Sequence, residues 1–263
     1  MSDTPDTDAP FVRYEVDEDR FAVVTLDSPH NRNALSSRLV RELLAALRQA
    51  RDDDRVRGVE LTHSGNTFCA GADLKEALDA DPAAAADIRT GWMIDVLRTI
   101  LELPKPVLCR VDGNVRAGGM GILAACDIVV AGRDSSFALT EARIGLAPFM
   151  ISLTLLPRMT NRSAARYFQT GEKFDAAEAE RTGLITLAAD DPAAETARLR
   201  AALCQGSPQG LAESKRLVNA ALLAEFDRGA EELAKRSASY FGTPEVVEGM
   251  TAFFQRRAPS WAE

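Results

Sequence analysis

The sequence predicts an α/β protein built in layers, and three observations carry that expectation. Short apolar segments of strand character alternate with amphipathic segments of helical period through the first half of the chain. Glycine-bearing turns punctuate those alternations. From Leu153 onward the character shifts to successive helices, with no linker long enough to mark a separable domain.

The elements follow in order. "FVRYEV" (Phe11 to Val16) and "FAVVTL" (Phe21 to Leu26) alternate apolar and polar residues around "DEDR", which predicts a hairpin. "SSRLVRELLAALRQAR" (Ser36 to Arg51) sets Leu39, Leu43, Leu44 and Leu47 on one helical stripe, with a serine available as cap. A strand is expected over "GVELTH" (Gly58 to His63), followed by the loop "FCAGADL" (Phe68 to Leu74). An amphipathic helix from about Asp87 to Leu103 ends at "PKP", and the strand "VLCRVDG" (Val107 to Gly113) runs into the glycine-rich "NVRAGGMG". A short apolar helix "MGILAAC", the strand "DIVVAG" (Asp127 to Gly132) and a strand-like segment with a turn in "SSFALTEARIGL" complete this part. Helices are then expected in "PRMTNRSAARYFQTG", "DAAEAERTG", "AETARLRAALCQG", "LAESKRLVNAALLAEF" and "VVEGMTAFFQRR".

Bulk composition removes several function classes. With 46% hydrophobic and 27% charged residues in 263, the chain has the balance of a globular protein with one large or two small cores. Residues 1 to 10, "MSDTPDTDAP", are expected to fray, and they lack the basic end and apolar run of a signal peptide. No apolar run approaches the roughly 20 residues that span a bilayer, so a cytoplasmic location is expected. Thirty-one basic against 39 acidic residues, a formal charge of -8, argue against a general nucleic-acid binder, though not against a local basic patch for an anionic ligand. Cys69, Cys109, Cys126 and Cys204 show no CxxC spacing and read as packed, reduced thiols. The two histidines, His30 and His63, have no companion at metal-ligand spacing and read as surface or strand-end residues; no metal or redox cofactor is expected.

"FCAGADL" offers no obvious nucleophile, base or metal ligand, so its use must lie in its backbone: small residues let a chain turn sharply and present an amide N–H. A second donor is available in "GNVRAGGM" (Gly113 to Met120). That stretch has the G-x-x-x-x-G frame of a phosphate loop, but Gly119 and Met120 stand where Lys and Ser/Thr are needed, and it fails as a dinucleotide fingerprint too. What survives is a helix start at Gly118 and Gly119, where unpaired N–H groups and the helix dipole favour negative charge. Two such amides aimed at one thioester oxygen would stabilise an enolate, and losing one donor typically costs about 3 to 4 kcal/mol.

"NTFCAGADLKE" (Asn66 to Glu76), "VDGNVRAGGMGILAACDIVVAG" (Val111 to Gly132), "FALTEARIGLAP" (Phe137 to Pro148) and "VEGMTAFFQRR" stand in an order that resembles the crotonase (enoyl-CoA hydratase/isomerase) superfamily across nearly the whole chain. The resemblance implies a crotonase-like spiral of repeated ββα units over residues 11 to 200. It also implies a C-terminal helical trimerisation region over 201 to 263, and a homotrimer or dimer of trimers. It assigns the oxyanion hole for an acyl-CoA thioester carbonyl to the N–H groups of Ala72 and Gly118, leaving Cys69 as a packed small residue. Coenzyme A then enters as part of the substrate.

The chain departs from the hydratase pattern at one position. Members with hydratase activity hold the attacking water between two glutamates; by the resemblance the first falls on Gly121 and is absent, while the second falls on Glu141 and is retained. Glu141 would act alone as base and acid, which suffices for moving a proton between C4 and C2 of an acyl chain. "EARIGLAPFMISLTLLPRM" with a glycine at the first position is similar to a branch of bacterial hydratases that includes methylglutaconyl-CoA hydratases, whereas "APF" resembles mitochondrial-type Δ3,Δ2-enoyl-CoA isomerases. Hydration of a trans-2-enoyl-CoA to a 3-hydroxyacyl-CoA is the leading expectation, isomerisation by the same residues the second, and non-catalytic acyl-CoA binding the third.

For the rest of the ligand the resemblance implies substrate or CoA contacts from Arg32, Ala70, Asp73, Leu74, Gly119 and Gly121, and from Arg256 to the CoA of an adjacent subunit. Asp73 is expected to turn the loop beside them, Asp127 to turn its strand, and Glu76 to be exposed. Trp92, Met93, Phe149 and Met150 are candidates for the acyl pocket.

Overall fold

The computed structural model describes residues 9–73, 76 and 82–262, with side chains in the helix that begins at Pro82 described from Thr90 onward. The expected hairpin is β1 (Val12–Val16) and β2 (Phe21–Leu26), paired antiparallel. Beyond it β2, β3 (Gly58–His63), β5 (Val107–Val111), β7 (Ile128–Gly132) and β10 (Leu187–Ala189) run parallel, giving one six-stranded sheet in the order β1-β2-β3-β5-β7-β10. A second sheet, β4-β6-β8-β9, joins β4 (Thr67–Cys69), β6 (Asn114–Arg116) and β8 (Ser136–Ala138) in parallel, with β9 (Phe174–Asp175) antiparallel at its edge.

The two sheets are linked in a repeating way. β3 turns a short corner into β4, β5 into β6, and β7 into β8, so each pair divides itself between the sheets before a helix carries the chain back. The corners stack on one another: Asn114 N–H donates to Asn66 O at 3.0 Å, and Ser136 N–H to Gly113 O at 3.2 Å. Gly113 sits at φ +152°, and a Cβ there would stand 2.3 Å from Asn66 O, so only glycine lets the second corner lie on the first. This is the expected spiral of ββα turns, followed by the expected C-terminal helices.

Among the helices α1 (Ser37–Asp52) matches its sequence signal closely. Ser36 caps it by accepting from Leu39 N–H at 3.3 Å, and Leu39, Leu43, Leu44 and Leu47 are all buried. α2 (Pro82–Glu102) begins about a turn earlier than its periodicity suggests. α3 (Gly118–Ala125) is poor in helix propensity, with three glycines, but it is buried along nearly its whole length, so packing decides its state. Then follow α4 (Phe149–Leu155), α5 (Asn161–Thr170), α6 (Ala176–Thr182), α7 (Pro192–Leu203), α8 (Pro208–Tyr240) and α9 (Pro244–Gln255). No helix among the described residues is long and apolar enough to cross a membrane.

Four strands leave no period in the sequence: β4 and β6 lie in stretches that read as loop, and β9 and β10 lie in the helical half. Each has only two or three residues, too few to show a period, and exists because a neighbouring coil supplies the ladder. Two buried ion-pair clusters tie the layers together. Lys215 of α8 reaches Asp127 at 2.8 Å and also donates to Ile100 O, while Asp127 accepts from Val107 N–H at 2.8 Å; the aspartate fixes its strand, as expected. Glu60 of β3 accepts from Arg110 at 2.7 Å and Arg200 at 2.9 Å, and Arg200 also pairs with Asp17 and lies over the Phe21 ring. His63 ends β3 by accepting from Asp112 N–H at 3.0 Å, and His30 packs edge-on to Phe11.

Candidate active site

The loop after β4 is held on both sides. Ala70 N–H donates to Arg32 O at 3.1 Å, and Leu35 N–H donates to Gly71 O at 2.8 Å. Asp73 N–H returns to Leu35 O at 3.3 Å, completing a parallel bridge between Leu35 and Ala72. In that geometry the flanking residues make the bonds, so the Ala72 N–H points away from Leu35. Asn33, at φ +52° and fully buried, fastens the neighbouring turn: its side chain donates to Thr67 O at 2.8 Å and Ser64 O at 3.1 Å and accepts from Ser28 N–H at 2.7 Å. Sequence reasoning passed over Asn33, although asparagine in a turn that needs positive φ is the available signal.

Gly118 opens α3 beside this loop. A Cβ on Gly71 would stand 2.8 Å from Ala117 Cβ and 3.8 Å from Gly118 N, which measures how closely the two loops approach. Ala117 has φ +46° and ψ -119°, a conformation L-residues rarely adopt, and it sets the plane of the peptide that carries the Gly118 N–H. A side chain at Gly118 would displace its neighbours, because a Cβ would lie 2.7 Å from Leu35 Cδ1 and 2.9 Å from Met93 Cε. Gly119 likewise packs on Cys69, with a Cβ position 2.6 Å from Cys69 Cβ. Burial pushes the Cys69 thiol up to about 12, so this sulfur is a packing group and no thiolate.

Ala70, Ala72 and Gly118 open into a cavity of about 510 Å³, and Glu141 lines the same cavity. Glu141 begins a 3-10 turn, Glu141–Ile144, that ends at Gly145 with φ +78°. The C-terminal helix clamps this turn: a Cβ on Gly145 would meet the Glu245 backbone at 2.8 Å, and one on Gly249 would meet Ile144 C at 2.5 Å. The residue as a whole is half-buried, yet Oε2 is sealed from solvent and has no hydrogen-bond partner. That burial raises the carboxyl from its ordinary 4.5 to about 7, with only the residue's own backbone amide acting in the other direction. A carboxyl with one oxygen buried beside the cavity and a pKa near neutrality is suited to taking and returning protons.

The surroundings are apolar. Trp92, Met93, Phe149 and Met150 line the cavity, together with Ile151 and Phe253. At Gly121, where a first glutamate was found missing, a Cβ would lie 2.3 Å from Ile151 Cγ2 and 2.7 Å from Ile151 Cβ. The position is closed to any side chain as the helices now pack. Arg32, Asp73, Gly119, Gly121 and Arg256 are not in the cavity lining; Arg32 contributes its carbonyl, and Asp73 accepts from Asn31 at 3.2 Å to shape the loop. Arg256 caps α9 at φ +53° and is exposed, whereas the next residue, Arg257, lines the cavity and pairs with Glu248 at 2.6 Å. Leu74 lies outside the described residues. Glu76 is exposed and accepts from Ser37 N–H at 2.8 Å.

Residues 17–263 match the model of the family described as enoyl-CoA hydratase/isomerase. The chain belongs to that family. A crystal structure of an enoyl-CoA hydratase from Mycobacterium avium superposes with a TM-score of 0.90 at 52% identity, over 95% of this chain and 98% of that one. A Mycobacterium bovis protein named a probable enoyl-CoA hydratase is 31% identical over 93% of this chain and 95% of its own length. A 1,2-epoxyphenylacetyl-CoA isomerase of Escherichia coli is 31% identical over 90% of this chain and 93% of its own. The enoyl-CoA hydratase/isomerase family acts on acyl-CoA thioesters, and a cavity with an apolar wall, lined by Ala72, Gly118 and one carboxylate, suits such a ligand.

Proposed function

We propose that this family member moves the double bond of an enoyl-CoA between C3 and C2, with Glu141 as its single acid/base and the Ala72 and Gly118 amides as the oxyanion hole. Glu141 takes a proton from C2 of a 3-enoyl-CoA, and the electron pair spreads through a dienolate onto the thioester oxygen. The same carboxyl returns the proton at C4, leaving C2 and C3 doubly bonded. The observation that carries this reading is the filled space at Gly121: hydration asks for a water held beside the acyl chain, and Ile151 hydrocarbon stands where a second polar group would hold it. A proton shuttle asks only for one carboxylate beside the acyl chain, and the buried Oε2 and raised pKa of Glu141 support that role.

Hydration of a trans-2-enoyl-CoA is the second reading, favoured by the name of the 52% identical Mycobacterium avium protein. The two part on product. Given a 3-enoyl-CoA the protein is expected to produce the conjugated 2-enoyl ester, and given a 2-enoyl-CoA to produce little 3-hydroxyacyl-CoA. Rapid, dominant formation of the hydroxy product would reverse the assignment. Because the base must be ionised, kcat/KM should rise with pH and level off above about 7, well above the ordinary glutamate range. Assembly as a homotrimer or dimer of trimers belongs to the same reading, supported by exposed apolar side chains on the last two long helices, among them Leu217, Val218 and Phe253.

A further inference from the structure

We propose that Ile151 is the residue that keeps water away from the reacting carbons, and so decides that this site moves a proton instead of adding water. The inference rests on the proton-shuttle reading above. Ile151 is buried on α4 and lines the cavity together with Glu141. Its Cγ2, Cβ and Cα lie 2.3, 2.7 and 3.3 Å from the point where a Cβ on Gly121 would stand. The volume beside α3 that a polar side chain at 121 would use is thus taken by hydrocarbon from another helix.

Ile151 is not there by loose packing. One turn later on the same face, Thr154 is fully buried and donates its hydroxyl to Gly121 O at 3.0 Å, with Ile151 O also within reach at 3.2 Å. That buried bond pins α4 to the glycine carbonyl, and the absence of a Cβ at 121 is what lets the isoleucine come so close. Gly121, Ile151 and Thr154 therefore work as one unit: glycine makes the room, threonine sets the register, isoleucine fills the space. An ordered water needs about two to four polar partners. Here the Glu141 carboxylate can supply one, and the Ile151 side chain supplies none.

Removing the branched side chain should open a place for water. In that state Glu141 takes a proton from the water, its oxygen bonds to C3 of a 2-enoyl-CoA, the resulting enolate is held by the two amides, and the carboxyl returns the proton to C2. Atoms and charge balance without any further reactant.

The test compares full-length wild type with Ile151→Ala, Ile151→Thr and Ile151→Val, each supplied with a 3-enoyl-CoA and a trans-2-enoyl-CoA, with products separated by chromatography. Ile151→Ala empties the space, and Ile151→Thr adds a hydroxyl at nearly the volume of valine. Both are expected to raise the ratio of 3-hydroxyacyl-CoA to double-bond isomer by about tenfold or more, equivalent to about 1.4 kcal/mol between the competing barriers. Ile151→Val keeps Cγ2, the atom nearest Gly121, and should leave the ratio as it is. Retained turnover of the 3-enoyl ester shows in the same assay that each variant is folded. An unchanged ratio in the alanine and threonine variants, or an equal rise in the valine variant, would overturn the proposal. A wild type that moves no double bond at all fails earlier and separately, by removing the proton-shuttle reading beneath it.

Discussion

Glu141→Gln is expected to lower kcat by on the order of 10³-fold while leaving acyl-CoA binding close to wild type and making the protein more stable at neutral pH. The activity loss follows because glutamine keeps the shape of the side chain but can neither take nor return a proton. The gain in stability follows from burial. In the unfolded chain this carboxyl ionises near 4.5, whereas in the folded protein it holds its proton up to about 7. Between those values the unfolded state releases a proton that the folded state keeps, so the residue lowers stability progressively as pH rises from 4.5 to 7, and the full cost persists above 7. Glutamine removes that cost, on the order of 1–3 kcal/mol at pH 7.5, and none of it below pH 4. Thermal midpoints of the two proteins should coincide in acid and separate by several degrees above neutrality. A protein that only binds acyl-CoA would lose nothing detectable in turnover, and a solvated Glu141 would show no pH-dependent separation.

Ala72→Pro is the second large effect. The amide hydrogen is the group of interest, and proline is the one natural residue that deletes it. Among the described residues the deletion costs no internal hydrogen bond, since the bridge to Leu35 runs through Gly71 O and Asp73 N–H. The folded protein should therefore keep its circular dichroism spectrum and melt near the wild-type temperature. Its kcat/KM should fall by at least about 10²–10³, the usual cost of one oxyanion donor, and KM should rise as well, because the proline Cδ takes the place of the amide hydrogen that would meet the thioester oxygen. At Gly118 the same experiment is less clean, because a side chain there would displace Leu35 and Met93. A drop of less than about threefold would remove Ala72 from the oxyanion hole.

The residues that carry these expectations were readable because their signals are local. "FCAGADL" announces a loop that offers only backbone, "NVRAGGMG" announces a helix start, and Glu141 follows from a motif with a fixed order relative to both. The α1 stripe and its serine cap are local as well. What escaped depends on partners far along the chain. The strands β4 and β6 gain their identity from stacking one coil on the next, and the reach of α2 back to Pro82 is outside the part with a clear apolar period. Gly145 and Gly249 look like ordinary glycines until α9 is seen to press on the turn that carries Glu141. The most telling case is Gly121. Sequence comparison within a family pattern shows a missing carboxylate there, but only three dimensions show that Ile151, 30 positions later, occupies the space it left. That occupancy is what favours proton transfer over hydration in the function proposed above. Arg256 and Arg257 make a smaller point: adjacent in sequence, they part because the left-handed cap at Arg256 turns the chain, and the cavity receives the second of them.

The proposed reaction needs one carboxylate to carry a proton from C2 to C4 without exchange with solvent. The most direct measurement is to convert a 3-enoyl-CoA in deuterium oxide with wild-type protein and follow, by mass spectrometry over the first few turnovers, the hydrogen delivered to C4. Transfer by a sealed Glu141 predicts that a substantial share of the product retains protium taken from C2. Complete deuteration at C4 from the first turnover would mean that the proton exchanges with solvent before it is returned, and would contradict the dry, single-carboxylate site.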